Sequence, residues 1–85
     1  MTMKVIWKKR AIRRLTEIWV EAPDQAAVTA AVARLDRILA GDPENVGESR
    51  PGHKRVTFDS PLGIRFRVYP HENVVRVLWV WRITR

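Results

Sequence analysis

The last third of the chain alternates between apolar and polar residues with the two-residue period of a β-strand. Across residues 64–69 the two kinds separate onto opposite faces, Ile64, Phe66 and Val68 against Arg65, Arg67 and Tyr69. Residues 54–59 and 74–83 have the same strand-forming character, and the short connections between these segments contain Pro, Gly, Asn and Ser, which favour turns. The pattern predicts antiparallel strands that share one apolar face and one face bearing arginines.

Two segments before these strands repeat apolar residues every three or four positions, as amphipathic helices do. The first follows a short apolar strand at residues 3–7, and Pro23 ends it because the residue before a proline resists the helical conformation. The second has the same proline in its first turn, carries an apolar stripe across residues 28–39 and stops at Gly41. Residues 44–52, rich in Gly, Pro, Asn and Ser, are predicted to form the main loop.

Together these elements predict the order β-α-α-β-β-β. Two helices joined at a proline form an antiparallel hairpin, and the apolar face of the strands needs a cover. The predicted fold is therefore α+β, with a two-helix hairpin packed on one face of a small, mainly antiparallel sheet. At 85 residues the chain is expected to form a single domain, residues 1–85.

The composition narrows the class of function. There is no cysteine, so neither a disulfide framework nor a thiolate metal site is expected. The sequence contains neither a recognisable signal sequence nor a membrane span, which predicts a soluble cytoplasmic protein without a membrane partner. No cofactor and no metal ion are expected.

The charge of the chain is unevenly distributed. Its net charge of +7 is made up of +6 over residues 1–14, −5 over residues 15–49 and +6 over residues 50–85. Two basic segments on either side of an acidic one indicate a polarised surface, and a nucleic acid or an acidic protein segment is the expected partner. The alternative is that these arginines are ordinary solvated strand residues.

With its elements in this order, the chain resembles the RelE/ParE superfamily, the toxins of bacterial type II toxin–antitoxin modules. The resemblance rests on the element order, Pro43 after the second helix, the loop Arg50-Pro51-Gly52, the strand Ile64-Arg65-Phe66-Arg67-Val68 and the final Val80-Trp81-Arg82. RelE-like members cleave ribosome-bound mRNA without a metal ion, whereas ParE-like members inhibit DNA gyrase. The resemblance implies one of these two activities on the same fold.

In the RNA-cleaving members, basic residues on the sheet stabilise phosphate charge. The resemblance implies this catalytic role for Arg65 on the central strand, Lys54 on the preceding strand and Arg82 at the end of the last strand. The wider surface implied to bind nucleic acid or the antitoxin comprises Arg50, His53, Lys54, Arg55, Arg65, Arg67, Arg76, Arg82 and Arg85. The implied partners are an antitoxin with an acidic, partly disordered tail and, as the target, ribosome-bound mRNA or gyrase; a homodimer is left open.

The RNA-cleaving members also use a Tyr or His after the last strand for proton transfer, and this sequence ends at Arg85 without one. His53, Tyr69 and His71 are the alternatives, and all three lie beside predicted turns. Cleavage by 2′-hydroxyl attack needs a base and an acid in addition to charge stabilisation. Whether the chain is an enzyme is therefore left open, with weak or absent RNA cleavage as the expectation. A non-catalytic binding module of the same fold that has lost toxicity and a small RNA-binding domain are the alternatives.

The tryptophans have two interpretations. Trp79 and Trp81 share their strand period with Val75 and Val77, so the pattern predicts that both pack beneath the helices, and Trp19 on the first helix is predicted to be core as well. The alternative for the strand pair is an exposed aromatic platform among arginines, able to stack bases or to anchor an antitoxin segment.

Overall fold

The computed structural model describes residues 2–83. Within them the elements follow one another as β1 (Lys4–Trp7), α1 (Lys9–Glu21), α2 (Gln25–Gly41), β2 (Glu48–Arg50), β3 (Lys54–Asp59), β4 (Leu62–Tyr69) and β5 (Val74–Arg82), with a short 3₁₀ turn at Pro43–Asn45. The strands form one sheet in the order β1-β5-β4-β3-β2, in which β1 is parallel to β5 and the other neighbours are antiparallel. Neither helix in this part of the chain has the length and apolar character needed to cross a membrane.

The predicted α+β fold is confirmed, and one element is added to it. The short strand β2 lies inside the predicted main loop, where Arg55 holds the chain against β3. The Arg55 guanidinium donates hydrogen bonds to the carbonyl oxygens of Val46 at 2.9 Å and Gly47 at 3.1 Å, and to Ser49 Oγ at 2.9 Å. Gly47 has a φ of 68°, and a Cβ at this position would collide with the carbonyl group of Val56. These contacts convert part of the loop into an edge strand.

α2 begins at Gln25 because Asp24 caps it. The Asp24 carboxylate accepts a hydrogen bond from the Ala27 amide at 3.0 Å and satisfies one of the unpaired amides of the first turn. Pro23 therefore lies in the connection between the helices, and the prediction that it forms the first turn of α2 is wrong. α1 ends at Glu21, as expected from the proline that follows.

The core lies between the helices and one face of the sheet. The side chains that form it are almost completely buried, from Ala11, Ile18, Val28, Ala31, Leu35 and Leu39 on the helices to Leu62, Ile64, Phe66, Val75, Val77 and Val80 on β4 and β5. Trp19 is not among them: it is 41% exposed, and its Nε1–H donates to Thr29 Oγ1 at 3.2 Å. The prediction that Trp19 is a core residue is therefore wrong, because the buried face of α1 is formed by Ala11 and Ile18.

An ion pair fastens α2 to the end of β3 on the helix side of the sheet. The Arg34 guanidinium donates to both carboxylate oxygens of Asp59, at 2.7 Å for the shortest contact. The hydrogen bonds that the Arg34 guanidinium donates to this carboxylate raise the pKa of Arg34. The pair identifies the side of β3 that faces the helices.

A one-residue irregularity in β5 decides where the tryptophans lie. Opposite β4, the pairing passes from Arg65–Trp79 directly to Phe66–Val77, so Leu78 is an extra residue. Val77 therefore lies on the helix side of the sheet, whereas Trp79 lies on the opposite side. The prediction that both strand tryptophans share a face with Val75 and Val77 is wrong, because the irregularity shifts the two-residue period by one position.

Gly63 is a strand residue rather than part of the turn predicted at residues 60–63. β4 already begins at Leu62, and Gly63 pairs with Trp81 across the sheet. A Cβ on Gly63 would come within 2.5 Å of Trp81 Cε2 and 2.6 Å of Cζ2. The glycine is therefore used for close approach, since the indole ring lies over its Cα atom.

Candidate polyanion-binding face

The sheet face that points away from the helices, here called the open face, carries three rows of side chains across the strands. The strand register defines them: a basic row of Arg50, Lys54, Arg67 and Arg76, a mixed row of Glu48, Val56, Arg65 and Trp79, and an aromatic row of Phe58, Gly63 and Trp81. Side chains in register on neighbouring strands point to the same side of a sheet. The open face thus changes from cationic to aromatic along the strand direction.

A cavity of about 690 Å³, here called the basic pit, opens on the cationic part of this face. Six cationic side chains line it, Lys8, Lys9, Arg10, Lys54, Arg65 and Arg76, together with Ile6, Trp7 and Leu78. Of the acidic side chains in residues 2–83, none is among the lining residues. Cations gathered around one concave surface focus a positive potential there, so the pit is suited to an anionic group.

The sequence-based assignment of the site missed the contribution of the N-terminal segment. Lys8, Lys9 and Arg10 lie at the start of α1, and the parallel pairing of β1 with β5 carries them to the pit. The Arg10 guanidinium lies 5.3 Å from the centroid of the Trp79 ring, a cation–π contact that positions it over the open face. The charge run at residues 8–10 was the available signal, but its distance along the chain from Lys54 concealed the relationship.

Partners of the cations differ across the site. Within the described residues, Lys54 and Arg65 take part in none of the ion pairs. Arg67 and Arg76 instead lie over the Tyr69 ring, at 5.0 Å and 4.5 Å from its centroid. Arg76 also approaches Glu72 at 3.7 Å, although both side chains are partly exposed and the interaction is correspondingly weak. Lys54 and Arg65, like Lys8 and Lys9 in the same pit, are therefore available to bind an added anion.

Two of the sequence-predicted site residues do not join this group. Arg55 is on the helix side of β3 and is occupied by the hydrogen bonds that hold β2. Arg82 is in register with the buried Leu62 and borders a cavity near the α1–α2 connection, again on the helix side. Arg85 lies outside the described residues. The structure thus brings Lys54 and Arg65 together but separates both from Arg82.

The three candidate proton-transfer residues lie together at one end of the open face. His53, Tyr69 and His71 line a shallow groove of about 480 Å³ that Arg67 also borders. His53 is exposed and has a φ of 62°, while His71 lies in the connection between β4 and β5. The groove lies beside the basic row and outside the pit, because neither histidine is among the pit-lining residues.

The described residues contain no group of three or more His, Cys, Asp or Glu side chains arranged to hold a metal ion. The side chains of the open face offer anion binding by Lys and Arg and stacking on aromatic rings. Both act on an extended ligand that has charged groups and flat groups next to each other.

Solved structures share this fold. A chain of the toxin–antitoxin complex RelBE2 from Mycobacterium tuberculosis is 18% identical over 96% of this chain and 99% of its own, with a TM-score of 0.79. A chain of the chromosomal ParDE toxin–antitoxin system from Pseudomonas aeruginosa is 17% identical over 96% and 97%, with a TM-score of 0.72. The chain thus has the fold of the RelE/ParE toxins, and the resemblance predicted from the sequence is confirmed at that level.

The same fold also occurs within a larger protein. TrmO from P. aeruginosa is 23% identical over 95% of this chain, with a TM-score of 0.62, but this chain covers only 33% of TrmO. No protein-family model matches the sequence, and no curated protein matches it. Because one fold serves proteins with different names and sizes, the fold alone does not determine the function.

Proposed function

We propose that this chain is the toxin of a type II toxin–antitoxin module and that it acts in the cytoplasm through its open face. The observation that carries the proposal is the basic pit, in which cations from α1, β3, β4 and β5 converge. The fold shared with chains of RelBE2 and ParDE supports it. A plain solvated surface would not need to gather side chains from such separate parts of the sequence.

The target favoured by this geometry is ribosome-bound mRNA. Lys54 and Arg65 are adjacent on β3 and β4, project from the same face and lack acidic partners within the described residues. A phosphodiester backbone would replace the counterions that such a surface collects, and their release favours binding. A protein target such as gyrase, bound through an acidic segment, is the second candidate, and the fold shared with ParDE supports it.

The proposed neutralising partner is an antitoxin whose acidic, partly disordered tail folds over the open face. The pit offers charge complementarity to such a tail. A disordered segment can follow an elongated surface of this kind when it folds on binding. A non-catalytic module of the same fold that has lost toxicity is the alternative.

Expression in a bacterial host tests the proposal. Induction of the wild-type chain is expected to arrest growth, and co-expression of an antitoxin encoded next to its gene is expected to relieve the arrest. Arg65→Gln removes one charge from the pit and should restore growth substantially. Arg37→Gln removes the same charge from the exposed side of α2, on the helix side of the sheet, and should leave the arrest unchanged.

Both variants are exposed at the substituted position, so equal expression and melting temperature are expected and must be checked. Growth unaffected by the wild-type chain would contradict the toxin proposal. Equal toxicity of the two variants would show that the positive charge of the pit is not required for growth arrest.

A further inference from the structure

In the aromatic row of the open face, the rings of Phe58 and Trp81 meet nearly at a right angle and form an exposed corner, here called the step. Phe58 is 58% exposed, although phenylalanine is among the residues most often buried; it lies near the end of β3, beyond the residues that pair with β2. Its ring centroid lies 5.8 Å from that of Trp81, and the ring planes are nearly perpendicular at 82°. The Trp81 indole lies over Gly63, and the Phe58 ring lies beside it, nearly perpendicular to the indole plane.

This step lies next to the cations that the proposed function uses. Arg65 belongs to the row between the step and the basic row, and successive side chains on one face of a strand are roughly 7 Å apart. A phosphate held by Arg65 would therefore be about one row away from a flat group on Phe58 and Trp81. The spacing matches the internal dimension of a nucleotide, in which the base is displaced from its phosphate by the sugar.

We propose that the Phe58–Trp81 step binds an unpaired base of a single-stranded RNA whose phosphates lie along the basic pit. The inference rests on the proposed function, because it concerns the same face, and it adds a base-binding position to the phosphate-binding one. Aromatic rings stack on any base, so the step confers preference for unpaired bases without reading their identity.

The arrangement of charge and rings favours this occupant over a folded duplex or a protein segment. A duplex keeps its bases stacked on one another, so its backbone could meet the cations while the step stayed empty. An acidic peptide would satisfy the pit, but its aspartates and glutamates carry no flat ring for the perpendicular step. A single-stranded RNA supplies both groups at the required spacing.

Binding to labelled oligonucleotides tests the proposal directly. The probes are an eight-nucleotide single-stranded RNA, the same RNA with its internal bases removed, and an RNA duplex of equal length, each measured by fluorescence anisotropy over a range of salt concentrations. The abasic probe keeps every phosphate, so its binding reports the pit alone. The proteins are wild type, Phe58→Leu, Phe58→Trp, Arg65→Gln and, as a control on the exposed side of α2, Ile38→Ala.

Wild type is expected to bind the intact RNA about tenfold more tightly than the abasic probe, the gain expected for one stacked base. Phe58→Leu should reduce this ratio to below about threefold, whereas Phe58→Trp and Ile38→Ala should keep it. Arg65→Gln should weaken binding of the intact and abasic probes alike and flatten their salt dependence. The duplex should bind no better than the abasic probe.

Equal affinity of wild type for the intact and abasic probes would overturn the proposal. An unchanged ratio between the affinities for the intact and abasic probes in Phe58→Leu would also contradict it. The same holds if an acidic peptide at equal charge concentration displaces the intact RNA and Phe58→Leu weakens binding of the peptide as much as binding of the RNA. The outcome is independent of growth arrest. A toxic protein that binds intact and abasic RNA equally would contradict this inference alone. A protein with base preference but no toxicity would sink the proposed function alone.

Discussion

Single residues decide which side chains reach the open face. The extra residue Leu78 in β5 moves Trp79 and Trp81 out of the core and onto the side that carries Arg65. Gly63 then leaves room for the indole of Trp81, which a larger residue would displace. The aromatic row therefore depends on one irregularity and one missing side chain.

Gly63→Ala is expected to destabilise the protein by about 1–3 kcal/mol, the usual cost of forcing extra volume into a packed position. The new Cβ would lie within 2.5 Å of the Trp81 ring, so the indole must move and the near-ultraviolet circular dichroism should change. Denaturant unfolding measures the loss of stability. Gly41→Ala is the control, because nothing lies within 4 Å of a Cβ there and alanine suits a helix end better. Equal stability of the two variants would contradict the packing described here.

At the scale of elements, β2 extends the sheet by one strand although its residues are exposed. It pairs with β3, and the pairing of Arg50 with Lys54 places Arg50 in the basic row. Little apolar burial holds this strand, so its position depends on the guanidinium of Arg55 on the other side of the sheet. Arg55 and Arg50 thus have different functions despite their proximity in sequence: one positions the strand, and the other belongs to the surface.

Arg55→Gln is expected to lower the free energy of unfolding by about 1–3 kcal/mol, because hydrogen bonds from a charged group are lost and two backbone carbonyls lose their donor. Hydrogen exchange should accelerate in residues 46–50 before it does elsewhere. Arg50→Gln should leave the stability within about 0.5 kcal/mol, as expected of an exposed substitution, and should weaken binding to the abasic RNA. Unchanged exchange in the Arg55 variant would show that backbone pairing alone holds β2.

At the scale of the whole molecule, the uneven charge of the sequence becomes a difference between the two sides of the sheet. On the helix side, acidic groups are used internally: Asp24 caps α2, Asp36 accepts a hydrogen bond from Trp7 Nε1 at 2.7 Å, and Asp59 pairs with Arg34. On the open face, Arg50 pairs with Glu48 and Arg76 approaches Glu72, whereas Lys54 and Arg65 take part in none of the ion pairs of the described residues. The face suited to binding is thereby separated from the face that stabilises the fold.

The same arrangement predicts weak or absent RNA cleavage. The pit is lined by Lys and Arg, and arginine stays protonated at physiological pH, so it is a poor proton-transfer group. His53 and His71 line a separate groove at the turn end of the sheet. A cleavage assay on translating ribosomes should therefore show little cutting by wild type. Robust cutting that His53→Ala or His71→Ala abolishes, with RNA binding intact, would refute this and identify the groove as the catalytic site.

The sequence by itself determined the helices, most of the strands and the fold class. Residues 54–59 were predicted with the bounds that the structure shows, and the alternation of residues 64–69 identified both faces of β4 correctly. These features follow from local periods, since a side chain two positions along a strand or three to four along a helix returns to the same face. The prolines and glycines between the elements limited where each could end.

Only the tertiary structure decided which residues share the open face. The extra residue in β5 reversed the side of the sheet on which Trp79 and Trp81 lie. The parallel pairing of β1 with β5 brought residues 8–10 to Lys54 and Arg65. Arg55 and Arg82, in contrast, lie on the helix side. Local periodicity in the sequence does not predict these placements, because they depend on how strands distant in the sequence pair and on where an extra residue shifts their register. A shift of one residue changes the face of every side chain beyond it, so the site is defined only once the register is known.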